Sequence, residues 1–111
     1  MNHEENRIHR AVVEHLRLSS KPNTVWLHPF NKAASAREGA LAKSMGVRAG
    51  ASDLILVRGS TPFALELKAE GGKMMEQQRL FQKEWQDAGG ITGTAYGLND
   101  ALLWLHNRGF L

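Results

Sequence analysis

Two neighbouring segments constrain this chain more than any others: Asp53-Leu54-Ile55-Leu56-Val57, and soon after it Phe63-Ala64-Leu65-Glu66-Leu67-Lys68-Ala69. The second alternates, so it reads as a strand with Phe63, Leu65, Leu67 and Ala69 on one face and Ala64, Glu66 and Lys68 on the other. The first is an unbroken apolar run of strand length, which reads as a buried strand. Arg58 to Pro62 turns the chain between them and makes the two strands hairpin neighbours. Charged groups are thereby committed to a sheet. Asp53 stands where a loop enters the first strand, and Glu66 and Lys68 project the same way from the second, about 6.6 Å apart at ~3.3 Å per residue.

The remaining elements follow from periodicity and breakers. Residues 4–19 carry Ile8, Val12 and Leu16 at helical spacing, with Ala11 beside them, and Ser19 to Asn23 ends the helix. Residues 24–28 form a short strand closed by Pro29. Residues 34–45 read as a helix with Gly46 just past its end, followed by the loop 47–52. Residues 74–88 form a strong helix stopped by Gly89-Gly90, residues 91–96 a further strand, and Asn99 caps a last helix running to about Asn107. This order predicts an α/β fold, a mixed four-stranded sheet flanked by helices. The 111 residues fit one domain spanning 1–111.

A net charge of +3 and a pI near 9.6 suit a polyanionic partner without identifying one. The absence of cysteine excludes disulfides, thiolate chemistry and Cys-based zinc sites. No apolar run approaches the roughly 20 residues needed to span a bilayer, and the first residues do not resemble a secretory signal, so the chain reads as soluble and cytoplasmic.

An isolated Glu-x-Lys is usually a solvated strand face, and a loop aspartate commonly caps a turn. Together the three residues ask for more. If Asp53 and Glu66 converge, two like charges ~4 Å apart cost about 4 kcal/mol at an effective dielectric near 20. A hard divalent cation is the natural compensation, with Lys68 offsetting part. On the 74–88 helix, Met74, Gln78, Phe81, Trp85 and Ala88 form one stripe facing the sheet, which turns Gln78 inward. Its amide either bonds a backbone group at the wet end of the stripe or lies beside Lys68 or an attacking water. On the first helix Glu5 and Glu4 both lie near the face of Ile8 and Val12, although either can simply favour a helix N-terminus.

These residues together resemble the VRR-NUC family of the PD-(D/E)XK nuclease superfamily. The resemblance lies in Glu5-Asn6-Arg7-Ile8 with Ala11-Val12, in Val47 to Asp53, in Glu66-Leu67-Lys68 and in Gly71 to Gln78, and it covers essentially the whole chain. Ser52 stands where the family usually has proline. The resemblance implies a restriction endonuclease-like fold and phosphodiester hydrolysis. It also implies that Asp53, Glu66 and the Leu67 carbonyl ligate a metal, that Lys68 steadies the nucleophile and the charge on the phosphate, that Gln78 orients Lys68 or water, and that Glu5 (Glu5 rather than Glu4, by spacing) holds a water of the metal. Oxygen ligands favour Mg2+ or Mn2+ over zinc. Stand-alone relatives look like homodimers acting on branched DNA such as Holliday junctions, and the family is common in bacteria and phages.

Lys32, Arg37, Lys43, Arg48 and Lys73 flank the expected site and can contact phosphates, which position a nucleic acid without reading its sequence. Trp104, Phe110 and Leu111 either finish a small core or offer a dimer surface. The histidines at 3, 9, 15, 28 and 106 show no metal spacing, and His28 is taken as structural. The competing readings are a catalytically silent nucleic-acid-binding module and a protein-interaction domain with coincidental charges.

Overall fold

The computed structural model describes residues 3–29 and 35–111. Its elements are α1 (His3–Ser19), β1 (Thr24–Leu27), α2 (Ala36–Ser44), β2 (Leu54–Arg58), β3 (Thr61–Lys68), α3 (Glu76–Asp87), β4 (Ile91–Tyr96) and α4 (Leu98–Asn107). The strands form one sheet in the order β1-β2-β3-β4; the first two pairings are antiparallel and β3–β4 is parallel, so the sheet is mixed as the sequence predicts. The parallel pair needs a crossover, and α3 supplies it.

The expected faces are present. Ile8, Val12 and Leu16 of α1, Leu54 and Leu56 of β2, Phe63, Leu65 and Leu67 of β3, Ala95 of β4, and Ala101 and Leu105 of α4 are buried in one core that Phe110 completes. Phe110 is 0% exposed and stacks edge-on against Phe63, with centroids 5.0 Å apart, so the chain end finishes the core. Full burial of each large aliphatic side chain contributes roughly 1.5–3 kcal/mol. Gly93 permits the seating of α4, because a Cβ there would lie 2.3 Å from Trp104 Nε1.

The opposite face of the sheet is covered differently. No residue of α3 is buried, and the helix sits on β4 through amides. Gln82 donates to Gly93 O and Thr94 Oγ1, and Gln86 donates to Thr92 Oγ1. Trp85 is half-buried and donates from Nε1 to Pro62 O at 3.3 Å, whereas Ala88, expected on the inward stripe, is exposed. One cap is also corrected. Gly97, not Asn99, is the N-cap of α4, and the side chain that closes this corner is Asp100, which accepts from Tyr96 N–H at 2.9 Å. Pro62, expected in the turn, already belongs to β3. Among the described residues no helix is long and apolar enough to cross a membrane.

Candidate active site and metal centre

β2 is shorter than its neighbour, and that mismatch makes the site. The last paired residues of the β2–β3 ladder are Leu54 and Leu65, so β3 runs on past the end of β2. Asp53, the residue before β2, takes over where the ladder stops: its Oδ2 accepts the Leu67 N–H at 2.7 Å. In an extended residue N–H and C=O point to the same side, so the Leu67 carbonyl also faces this notch. Asp53 N–H in turn donates to Glu66 Oε2 at 3.2 Å. The backbone therefore fixes both carboxylates from both ends, and the buried Ser52 anchors the entering loop.

Asp53, Glu66 and Lys68 are all buried, at 7%, 3% and 5% exposure, which is rare for such groups unless they are compensated. The Asp53 carboxyl is close enough to oppose the ionisation of Glu66. Burial and the neighbouring Asp53 push Glu66 up to about 8, with Lys68 pulling the other way. Burial likewise raises Asp53, opposed by the Leu67 N–H, His28 and Lys68, and reinforced by Glu5. Two acids are thus held where they resist ionising together, with a buried ammonium as partial relief.

Gln78 points inward and bonds a backbone group, as one of its two readings expects. Its Oε1 accepts from Met75 N–H at 2.8 Å, which closes the N-terminus of α3, and its Nε2 donates to Glu66 Oε1 at 2.6 Å. It orients a carboxylate, where the sequence had placed it beside Lys68 or water. Glu5 is buried on α1 and reaches Ala69 N–H at 3.5 Å, while Glu4 is exposed and paired with Arg7. Of the two, Glu5 is the one that the packing of α1 turns toward the sheet.

The flanking cations separate into groups. Arg37, Lys43 and Lys73 are exposed. Arg48 is bonded to Glu84 and lies 5.5 Å over the Phe81 ring, so it ties the 47–52 loop to α3. Lys32 lies outside the described residues. Sequence reasoning passed over His9 and His28. His28 Nδ1 lies 2.6 Å from Asp53 O, and His9 Nδ1 stands 3.9 Å from Asp53 Oδ1. Among the described residues, His9, His28 and Asp53 are the three ligand-type side chains whose donor atoms all lie within 4.8 Å of one another. Burial, then His28, lowers His9 to about 4. A signal was available: His9 is four residues after Glu5, on the same helix face. His9, Arg10, Val13, Glu14, Arg17, Trp26 and His28 line a groove of about 700 Å³, which the two histidines connect to Asp53.

No family model and no curated protein sequence matches this chain. Among solved structures, one described as a VRR_NUC domain protein matches with a TM-score of 0.76 at 20% sequence identity, covering 96% of this chain and 88% of that one. The chain has the VRR_NUC fold. The fold explains why four stretches that are distant in sequence meet. Its β2–β3 hairpin brings residues 53 and 66–68 together, the α3 crossover returns Gln78 over β3, and α1 brings Glu5 and His9 to the same end of the sheet.

Proposed function

We propose that this chain is a VRR-NUC nuclease of the PD-(D/E)XK type, formed as one domain over residues 1–111, that hydrolyses phosphodiester bonds in DNA as a metal-dependent, structure-selective endonuclease. The observation that carries this reading is the convergence of the buried Asp53 and Glu66 carboxyls with the buried Lys68 at the notch beyond β2. A silent binding module or an interaction domain has no use for two acids buried side by side, one of them raised to about 8.

The residues fit a hard divalent ion. Asp53, Glu66 and the Leu67 carbonyl form an oxygen-only set, the carboxylates keep lone pairs beyond their backbone bonds, and their mutual repulsion is what a dication relieves. Mg2+, with Mn2+ as the alternative, would supply Lewis acidity to the phosphate and to the attacking water. Lys68 steadies the incoming hydroxide and the charge gathering on the non-bridging phosphate oxygens. Gln78 holds Glu66 in one orientation, and Glu5 orients water at the edge of the site. The water gives up a proton to solvent as its oxygen bonds to phosphorus, the ester P–O bond breaks, and the departing oxygen takes up a proton from solvent.

The partner in this reading is DNA. Arg37, Lys43, Lys73 and Lys32, together with Arg10 and Arg17 of the groove, are assigned to phosphates. No base-reading motif accompanies them, which favours branched DNA such as four-way junctions over a particular sequence. A homodimer would place two such sites across a junction, in the cytoplasm of a bacterium or a phage-infected cell. The test is cleavage of forked, four-way and linear DNA with Mg2+ by the wild type and by Lys68→Ala. The variant is expected to bind the same DNA and to cut about 10²–10³ times more slowly, the range for removing one group that stabilises transition-state charge. Equal cutting by both proteins removes Lys68 from the mechanism and the reading with it.

A further inference from the structure

Two imidazoles stand against Asp53 with no part in the hydrolysis described above. We propose that His9, His28 and Asp53 form a second cation site, sharing Asp53 with the oxygen-only set, that takes a borderline divalent transition metal of the zinc or cobalt(II) class. Three observations carry it. First, one donor atom from each of the three residues lies within 4.8 Å of the other two. Nitrogen and oxygen ligands about 2.1 Å from one ion stand about 3.4 Å apart in a tetrahedral site, so closing on a metal draws the donor atoms together by up to about 1.4 Å. The exposed His28 can supply that movement by pivoting about its bond to Asp53 O.

Second, the His28 ring is already held as a ligand ring is usually held. A carbonyl only accepts, so the 2.6 Å contact with Asp53 O requires Nδ1–H to donate, which leaves the lone pair on Nε2. A backbone carbonyl on the far nitrogen is the common way of fixing the tautomer and orientation of a metal-binding histidine. His9 is set edge-on to it, with centroids 4.4 Å apart at 83°. At 3.9 Å, His9 Nδ1 is too far from Asp53 Oδ1 for a hydrogen bond, so that contact does not use up either atom. Third, both rings line the 700 Å³ groove, which gives an ion and its remaining water ligands a path from solvent.

The donor chemistry sets the class of ion. Two imidazoles and one carboxylate rank zinc and cobalt(II) well above magnesium, the reverse of the oxygen-only set of Asp53, Glu66 and Leu67. The inference stands on the geometry of the histidines and is independent of whether the chain cleaves DNA.

The experiment is calorimetric titration of the metal-free protein with zinc chloride in excess magnesium, for the wild type, His28→Ala and His9→Gln. It is paired with nitrogen NMR of the imidazole rings and with circular dichroism to show that each variant is folded. Because His28 is exposed, its variant keeps the test decisive even if the His9 variant unfolds. The expected result is a zinc site that magnesium does not displace, affinity lowered at least about tenfold in each folded variant, and zinc-dependent shifts of the His9 and His28 ring nitrogens. Zinc affinity unchanged in His28→Ala, displacement of zinc by magnesium, or unshifted His9 and His28 nitrogens each overturns the site. Any of these outcomes leaves the Lys68→Ala cleavage result untouched, so the two proposals fail separately.

Discussion

Glu66 keeps its proton to about pH 8 in the folded protein, because burial and Asp53 both oppose its charge. A glutamic acid in the unfolded chain releases its proton near ~4.3. Between these two values the folded state binds the proton and the unfolded state does not, so stability falls as pH rises through that window and levels off above about 8. His9 works in the opposite sense: its folded value near 4 lies below the ordinary histidine value, so it costs stability as pH falls from 6.5 toward 4. Between pH 6.5 and 8 the carboxyl effect therefore stands alone. Thermal melts of the metal-free protein over that interval should show Tm falling with pH, with most of the fall lost in Glu66→Gln. Added Mg2+ should raise Tm most at the alkaline end, where the ionised pair needs it. A flat wild-type profile would show that the two carboxyls do not compete for charge. Asp53, Glu66 and Lys68 could be picked out from the sequence because strand alternation fixes which side chains share a face. His9 and His28 could not be paired in the same way, since their meeting depends on how α1 lies across the end of β1, which no local pattern encodes.

Among the elements, the loop 47–52 and α3 form the clamp on the site. Gly50 has φ +81, and a Cβ there would lie 2.3 Å from Gln77 O, a backbone atom that cannot swing aside. Arg48 closes the same contact through Glu84 and Phe81. Gly50→Ala should thus push the loop off α3 as well as strain its own backbone, at a cost of about 1–3 kcal/mol, measurable by urea denaturation. It should also slow DNA cleavage by loosening Asp53 and Gln78 relative to Glu66. A variant as stable and as active as the wild type would mean that the loop and α3 are not joined there. Strand identity was largely legible here, with β4 found at its observed ends, because alternation and glycine breaks act locally. The sheet contact of α3 was legible only in part. The apolar stripe predicted a greasy seat, but the helix lies on the sheet through Gln78, Gln82 and Gln86, spaced one turn apart, and such a polar ladder looks like a solvated face until β3 presents Glu66 to the first and β4 presents Gly93 O, Thr94 and Thr92 to the other two. Asn99 was misjudged for a related reason. It sits where a cap residue is expected, but Gly97, with its positive φ, caps the helix two residues earlier.

At the scale of the whole molecule the question is which cationic surface holds DNA against the notch. Arg37 and Lys43 lie on α2, a helix with no buried residue. Arg10 and Arg17 of α1, with Glu14 between them, line the groove that also contains His9 and His28, so two guanidiniums outweigh one carboxylate there, and His28 bonds the Asp53 backbone. A strand in this groove would have its phosphates within reach of the two guanidiniums and a base against Trp26, an arrangement suited to unpaired nucleotides at a branch point. Because α1 is anchored in the core through Ile8, Val12 and Leu16, phosphates bound there would be fixed relative to Asp53, whereas those bound on α2 would follow a helix with little tertiary anchoring. The double variant Arg10→Ala/Arg17→Ala should accordingly weaken binding to four-way DNA and lower the slope of log affinity against log salt by about 2, near one unit per lost phosphate contact. Arg37→Ala/Lys43→Ala should change that slope less and slow cleavage less. Fluorescence anisotropy across a salt series reads both. The opposite ranking would move the DNA path to the α2 side and leave the groove to the metal and its waters.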